Sequence, residues 1–229
     1  MTKVVKIGGA LLQEPAEAVE AIRRVATERV VIVHGGGVQI TRMLERMNVK
    51  SAFIEGLRVT DENTLAAVAA ALLGEVHTAL VTELQNQGVP AIGVFGAVQA
   101  TQKSGPWGLV GTNVRANAGA LNTLLDACQT PVVPTLAVGS ESLLNVNGDE
   151  TAAAVAVALQ CEELIFLTDV EGVQNGDGVV IDCAARPDDL LTATFVSGGM
   201  IPKLRAVKAA LDGGVQLARV GRTVFGEVS

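Results

Sequence analysis

A chain of 229 residues with 49% hydrophobic and 18% charged side chains can bury a core of its own, which excludes an intrinsically disordered segment. The net charge of -7 has the wrong sign for general binding to a nucleic-acid backbone, although local lysines and helix N-termini can still hold an anion. Tyrosine is absent and aromatics make up 3%, so the core must be built from Val, Leu, Ile and Ala, which suits helices packed on a buried parallel sheet.

Residues 3–7 (KVVKI) predict a strand that stops at Gly8-Gly9. Residues 15–27 have helical spacing, with Val19, Ile22 and Val25 on one face. Residues 30–33 (VVIV) form a second buried strand closed by Gly35–Gly37, and 38–47 a helix carrying Ile40, Met43, Leu44 and Met47. This strand–helix–strand–helix series argues for a mostly parallel sheet with right-handed crossovers. Residues 53–59 are irregular, and Thr60 reads as an N-cap with Asp61, Glu62 and Asn63 in the first turn. A long helix follows through Leu73 and resumes past Gly74 to Leu84; its Ala-rich part, 64–73, is too short to span a bilayer.

Residues 89–95 are a further strand, 97–112 a hairpin or surface excursion, 117–127 a helix and 131–138 a return to the sheet. A helix is predicted over 150–160 and a buried strand over 164–168, followed by the turn Asn175-Gly176-Asp177-Gly178. Residues 187–191 and 203–211 are helical candidates, and 215–220 is a final strand. The first residues run straight into a strand without a charged leader, which reads as a soluble cytoplasmic protein with neither membrane nor nucleic-acid partner. Cys128, Cys161 and Cys183 form no CxxC pair, so neither a zinc site nor a disulfide framework is expected, and buried thiols are. A division into lobes 1–140 and 141–229 rests on the places of the two chemical clusters.

The chemistry concentrates where glycine turns follow apolar runs. Glycines at strand ends let backbone N–H groups approach an anion closely. Lys6 stands between Val5 and Ile7 just before Gly8-Gly9, where its ammonium either meets phosphate oxygens or snorkels from an edge. Asn147 and Asp149 stand at the start of a helix, either as cap and turn or as a substrate-binding amide and a carboxylate that orients lysine. His34, before a glycine run, reads foremost as satisfying local backbone groups. Neither GxxxxGK[ST] nor GxGxxG occurs, so the usual nucleotide fingerprints are missing.

Taken in order, Lys6-Ile7-Gly8-Gly9, Val33-His34-Gly35-Gly36-Gly37, Gly56-Leu57-Arg58-Val59-Thr60, Leu144-Asn145-Val146-Asn147-Gly148-Asp149 and Gly199-Met200-Ile201-Pro202-Lys203 resemble the amino acid kinase family over nearly the whole chain. The resemblance implies an α/β fold, a three-layer αβα sandwich with a largely parallel sheet of the carbamate kinase-like kind. It also implies a first lobe for an acyl amino acid, N-acetyl-L-glutamate, and a second lobe for ATP. Lys6 and Lys203 are then the lysines that stabilise the transferring phosphoryl group, and Asp149 the carboxylate that organises them. Gly36 and Gly37 contact substrate through backbone, Arg58 clamps its α-carboxylate, and Asn145 and Asn147 bind substrate. Gly8 and Gly9 form the phosphate-facing turn, and Thr168, Asp169, Val170, Gly172 and Val173 the nucleotide-side loop.

Mg2+ is expected on ATP phosphates and water, with no protein metal site, and a homodimer built through the first lobe is implied. The first strand begins by Lys3, leaving no room for the extra helix of arginine-inhibited members, so inhibition by that route is not expected. Three departures stand out: only Gly221-Arg222-Thr223-Val224-Phe225 remains of a closing segment, the stretch after Phe95 lacks a Gly-Asp-rich hairpin, and Gly148 replaces the usual Ala. A shortened ATP lobe and a shorter lid follow as expectations. A sibling kinase for an aminoadipate derivative and a non-catalytic metabolite-binding relative remain as alternatives.

Overall fold

The computed structural model describes residues 1–26 and 29–227; the predicted helix end at Thr27 lies outside them. The chain runs β1 (Thr2–Ile7), a 3-10 turn (Gly9–Gln13), α1 (Pro15–Val25), β2 (Arg29–His34), α2 (Gly37–Arg46), β3 (Phe53–Ile54) and β4 (Leu57–Arg58). Next come α3 (Glu62–Ala69), a π-helical segment (Ala70–His77), α4 (Thr78–Asn86), β5 (Ala91–Gly93), β6 (Val98–Gln102), β7 (Gly111–Ala116), α5 (Ala118–Asp126) and β8 (Thr130–Pro134). The rest is β9 (Leu136–Val138), β10 (Leu143–Asn145), α6 (Gly148–Ala158), β11 (Glu163–Leu167), β12 (Cys183–Ala184), α7 (Asp188–Thr192), α8 (Met200–Asp212), β13 (Leu217–Val220) and β14 (Thr223–Gly226).

Eight strands form one sheet in the order β12-β14-β13-β11-β1-β2-β8-β5, parallel throughout except for the antiparallel pair β13–β14. From β1 the chain adds β2, β8 and β5 on one side and β11, β13 and β14 on the other, so the strand order reverses at β1. Both expected lobes contribute to this sheet: 1–140 supplies β1, β2, β5 and β8, and 141–229 supplies β11 to β14.

The valines and isoleucines of the strands alternate between two cores, as a period of two requires. Val5, Ile7 and Ile32 pack with Val19 and Ile22 of α1 and Leu80 and Leu84 of α4. Val4, Val31, Val33 and Phe166 pack on the other face with Leu121 of α5, Val155 of α6 and Leu204 and Val207 of α8. The result is the αβα sandwich, with the sheet covered on both faces as a parallel sheet demands.

A smaller sheet, β10-β9-β6-β7, leaves the large one where β8 passes through Thr135 into β9. The single strand predicted over 131–138 is thus two, one in each sheet. The stretch 97–112 is the hairpin β6–β7, which continues to Ala116 with an irregularity between Gln99 and Thr101. Residues 53–58 form a small hairpin, and the predicted remnant near 223 is strand β14, which closes the sheet against β13 and carries β12 beyond it.

Three further expectations are corrected. The N-cap of α3 is Asp61, whose carboxylate accepts the Thr64 N–H at 2.7 Å. Thr60 does not cap, because its hydroxyl donates to Arg58 O at 2.7 Å and accepts from Asn145 Nδ2 at 3.1 Å. The helix from Glu62 does not break at Gly74 but runs 25 residues to Asn86, and is the one helix among the described residues long and apolar enough to cross a membrane. Its residues Val68, Leu72, Val76, Leu80 and Leu84 are buried in the cores of the domain. Among the cysteines only Cys161 is buried, with its thiol pushed up to about 12 by that burial; Cys128 and Cys183 are exposed.

At the N-terminal edge of the strands, buried Glu163 pairs with Lys3 Nζ at 2.9 Å and Arg219 Nη2 at 2.8 Å, tying β1, β11 and β13 together. Glu163→Gln keeps the shape but strands two cations beside a buried amide. A loss of about 1–3 kcal/mol in urea unfolding is expected, less than a fully buried pair because both cations reach solvent.

Candidate active site

Because β1, β2, β8 and β11 run parallel in register, Ile7 lies beside His34 and Leu167, and His34 beside Pro134. The turns after these strands therefore gather at one edge. In an open α/β sheet, ligands bind outside the carboxyl ends at the point where strand order reverses, which here is β1.

Lys6 is the penultimate residue of β1. Its ammonium meets Asp149 Oδ1 at 2.8 Å, an ion contact rather than an aligned hydrogen bond. Lys203, in the first turn of α8, meets Asp149 Oδ2 at 3.4 Å and donates to Gly199 O at 3.4 Å. Three residues separated by up to 197 positions thus share one charge centre with little exposure, their side chains 12%, 6% and 17% accessible for Lys6, Asp149 and Lys203. A Cβ at Gly8 would lie 3.0 Å from Lys6 Nζ, and one at Gly148 would lie 3.1 Å from Lys6 Cε. Both glycines therefore leave room for the lysine.

Asn147 caps α6: its Oδ1 accepts from Asp149 N at 2.8 Å and Glu150 N at 3.1 Å, which sets Asp149 in the first turn. Helix α2 starts differently, since Gly36 caps it with no side-chain acceptor. Its first N–H groups are left for an anion, as at other helix N-termini. Gly9 begins the 3-10 turn that follows Gly8.

A cleft of about 580 Å³ extends from Lys6, Gly8 and Gly148 past Gly36, Gly37, Asn145 and Asn147 to Arg58. Arg58 donates to Ser51 Oγ at 3.1 Å and Thr41 Oγ1 at 3.0 Å, and its guanidinium lies 4.6 Å from the centre of the Phe53 ring. Burial pulls its pKa below the ordinary arginine value, yet a guanidinium stays charged at neutral pH. Asn145 joins this end through Thr60, whose hydroxyl also holds the Arg58 carbonyl.

The predicted loop after β11 divides. Thr168 Oγ1 donates to Asp169 at 3.1 Å, and Val170 is exposed. Val173 is buried, and both of its backbone groups are engaged, its N–H with Thr223 Oγ1 and its carbonyl with Ile181 N. Gly172 packs against Val180 and Thr223. These last two residues support the loop from below. None of the five lines the cleft that holds Arg58.

His34 is fully buried and lies behind the site, bonded to Gly35 O at 3.0 Å and to His77 at 2.8 Å. Burial drives it to a pKa of about 3, so it is neutral at pH 7. Sequence reasoning missed Thr41, Ser51, Phe53 and Thr60. Thr60 stood within the Gly-Leu-Arg-Val-Thr run, but its role is visible only once Asn145 is beside it.

Two lysines share one carboxylate, and the first of them lines a cleft walled also by glycine turns and Arg58, an arrangement of charge suited to phosphoryl chemistry. The chain matches the amino acid kinase family model over residues 1–222, and it belongs to that family. Among relatives, it is 42% identical to the acetylglutamate kinase of Rubrobacter xylanophilus, over 93% of this chain and 86% of that protein. It is 38% identical to that of Methanopyrus kandleri, over 94% and 93%. A solved protein of Streptococcus mutans UA159 superposes with a TM-score of 0.85 at 28% identity, covering 98% of each chain.

Lys6→Ala and Lys203→Ala should each lower kcat about a hundredfold or more at saturating substrates, with a melting temperature within a few degrees of wild type. A rate within about threefold of wild type removes that lysine from the reaction. Stability should also follow His34. Its folded pKa lies below the unfolded value of 6.5, so its contribution is complete above that value and is lost as pH falls toward 3. Urea midpoints measured from pH 7.5 to 4.5 should decline by up to about 1.4 kcal/mol per pH unit from this group, less in His34→Asn.

Proposed function

We propose that the chain transfers the γ-phosphoryl group of ATP to the side-chain carboxylate of N-acetyl-L-glutamate, as a cytoplasmic enzyme of arginine biosynthesis. The observation that carries this reading is the Lys6–Asp149–Lys203 centre, whose Lys6 lines the same cleft as Arg58. A dicarboxylic acceptor needs one carboxylate gripped and the other delivered, and with the α-carboxylate held by Arg58 the side-chain carboxylate is the one left to react. The names of the relatives support the acceptor.

The nucleophile is already ionised near neutral pH, since a free side-chain carboxylate of this kind titrates near 4.3. No general base is needed, which agrees with a neutral His34 turned away from the cleft. The work left to the protein is alignment and cancellation of charge on the equatorial phosphoryl oxygens. Lys6 and the N–H groups at Gly36 and Gly37 do this on the acceptor side. Lys203 does it on the nucleotide side, where Gly8 and Gly9 turn toward phosphate and Thr168, Asp169 and Val170 border the nucleotide. Asp149 holds both ammonium groups apart and in place. Asn147 supports it through the cap and faces the cleft, and Asn145 binds the acceptor.

Mg2+ would supply charge neutralisation on the ATP phosphates. The carboxylate at the reacting centre, Asp149, spends both oxygens on lysines and does not offer itself as a ligand, so the metal is held by phosphates and water. The same reading divides the sheet into an acceptor lobe, 1–140, and an ATP lobe, 141–229, and makes the enzyme a homodimer, which light scattering tests by a mass twice 23.5 kDa.

Turnover on N-acetyl-L-glutamate, compared with N-acyl and carrier-linked aminoadipate, tests the acceptor directly; faster turnover of an aminoadipate derivative overturns it. Arg58→Lys removes the two-pronged grip on a carboxylate. It should raise KM for the acyl amino acid at least about tenfold and leave KM for ATP nearly unchanged, a difference of about 1.4 kcal/mol in binding. Equal effects on both substrates would point to general damage.

A further inference from the structure

The chain contains two histidines, and they meet. His34 ends β2, and His77 ends the π-helical segment 43 residues later. Gly35 O can only accept, so His34 carries its proton on Nδ1 and donates it there at 3.0 Å. His34 Nε2 is then an acceptor, and His77 Nδ1–H donates to it at 2.8 Å. Both rings are kept neutral by burial.

The bond to Gly35 O has a geometric consequence in the cleft. A trans peptide is planar, with its C=O and N–H opposed. Holding Gly35 O toward His34 turns the Gly36 N–H the other way, and Gly36 is a residue of the cleft wall. The peptide lies between two glycines, whose backbone freedom would otherwise let it rotate. On one side it is anchored by Gly35 N, which donates to Ile7 O at 3.0 Å. From behind, Leu72 and Val76 of the π-helical segment stand 2.9 and 3.1 Å from where a Gly36 Cβ would be. His77 therefore sits on the same segment that presses on the turn. Its other side is set by β5, since a Cβ at Gly93 would lie 2.3 Å from His77 Nε2.

We propose that His34 and His77 are positioning residues for phosphoryl transfer: the His77 hydrogen bond fixes the His34 tautomer, and His34 fixes the Gly35–Gly36 peptide with its N–H toward the transferring group. The inference rests on the phosphoryl-transfer reading of the cleft, and it places a residue of the long helix in the reaction without contact to substrate.

The test compares His77→Leu, which keeps bulk and loses the donor, with His77→Asn, whose side-chain amide can donate from nearly the same point. His77→Leu should lower kcat about tenfold or more with KM for both substrates within about threefold, and His77→Asn should recover most of the loss. Gly93→Ala, which displaces the ring from the far side, should resemble His77→Leu. Nitrogen NMR of the rings should show the Nδ1–H tautomer at His34 in wild type and its loss in His77→Leu. The Gly36 amide signal should shift on addition of the non-hydrolysable analogue AMP-PNP with magnesium and acyl amino acid in wild type and His77→Asn, and weakly in His77→Leu.

A kcat for His77→Leu within threefold of wild type, equal losses in His77→Leu and His77→Asn that track their melting temperatures, or an Nε2–H tautomer in wild type would each overturn the proposal. If wild type binds AMP-PNP yet phosphorylates neither acyl amino acid, the functional reading fails while the Gly36 signal still decides the positioning role. A Gly36 amide unmoved in wild type overturns that role.

Discussion

The contact on which the rest of this structure depends is the carboxylate of Asp149 between the ammonium groups of Lys6 and Lys203. Two like charges brought from a strand end and a helix start repel each other unless a counter-charge stands between them, and removing the carboxylate would leave both ammonium groups uncompensated. One carboxylate against two ammonium groups also leaves an excess positive charge at the strand ends, which is what a phosphoryl group in transfer requires. The glycines at 8 and 148 lie against the same contact, where a Cβ would come within 3.0 Å of the Lys6 ammonium and 3.1 Å of its stem.

The sheet brings this centre about. Parallel pairing places the C-terminal ends of β5, β8, β2, β1, β11 and β13 on one edge, and the reversal of order at β1 opens a crevice there. The two helix N-termini on that edge are finished in opposite ways. Asn147 closes α6 and sets Asp149, whereas α2 begins at a glycine without a side-chain cap. A helix end that is not satisfied by a side-chain cap keeps N–H groups that water or an anion can take up. Behind it, a pair of neutral histidines takes up the polar groups that the glycine turn leaves inside the core.

The Arg58 side of the cleft is built from short elements. Ser51, Thr41 and the Phe53 ring restrain the Arg58 guanidinium, which lowers the ordering cost of any anion that it binds. Trp107 of the β6–β7 hairpin donates to Ile54 O at 3.2 Å, and its carbonyl accepts the Thr60 N–H at 2.9 Å. The small hairpin that carries Arg58 is thereby tied to the smaller sheet, and Thr60 ties both to Asn145.

Periodicity and punctuation in the sequence were enough for the sandwich: VVIV between glycines, Val19 and Ile22 at helical spacing, and the turns at Gly8 and Gly35 each follow from forces among near neighbours. The ordered motifs around Lys6, Arg58, Asp149 and Lys203 made the family legible as well, through their combination and order, since each taken singly also has an ordinary structural reading. What pairs with what was decided only by the tertiary structure. Thr60 had the composition of a cap, but partners at 58 and 145 claimed its hydroxyl and passed the cap to Asp61. Residues 221–225 stood as the remnant of the longer closing segment that the resemblance implies, and only pairing with β13 makes Thr223–Gly226 a strand. His34 showed as a residue satisfying its own turn, while His77 gave no sign at all. Their bond spans 43 positions, and only the packing of a long helix on the sheet brings the two rings together.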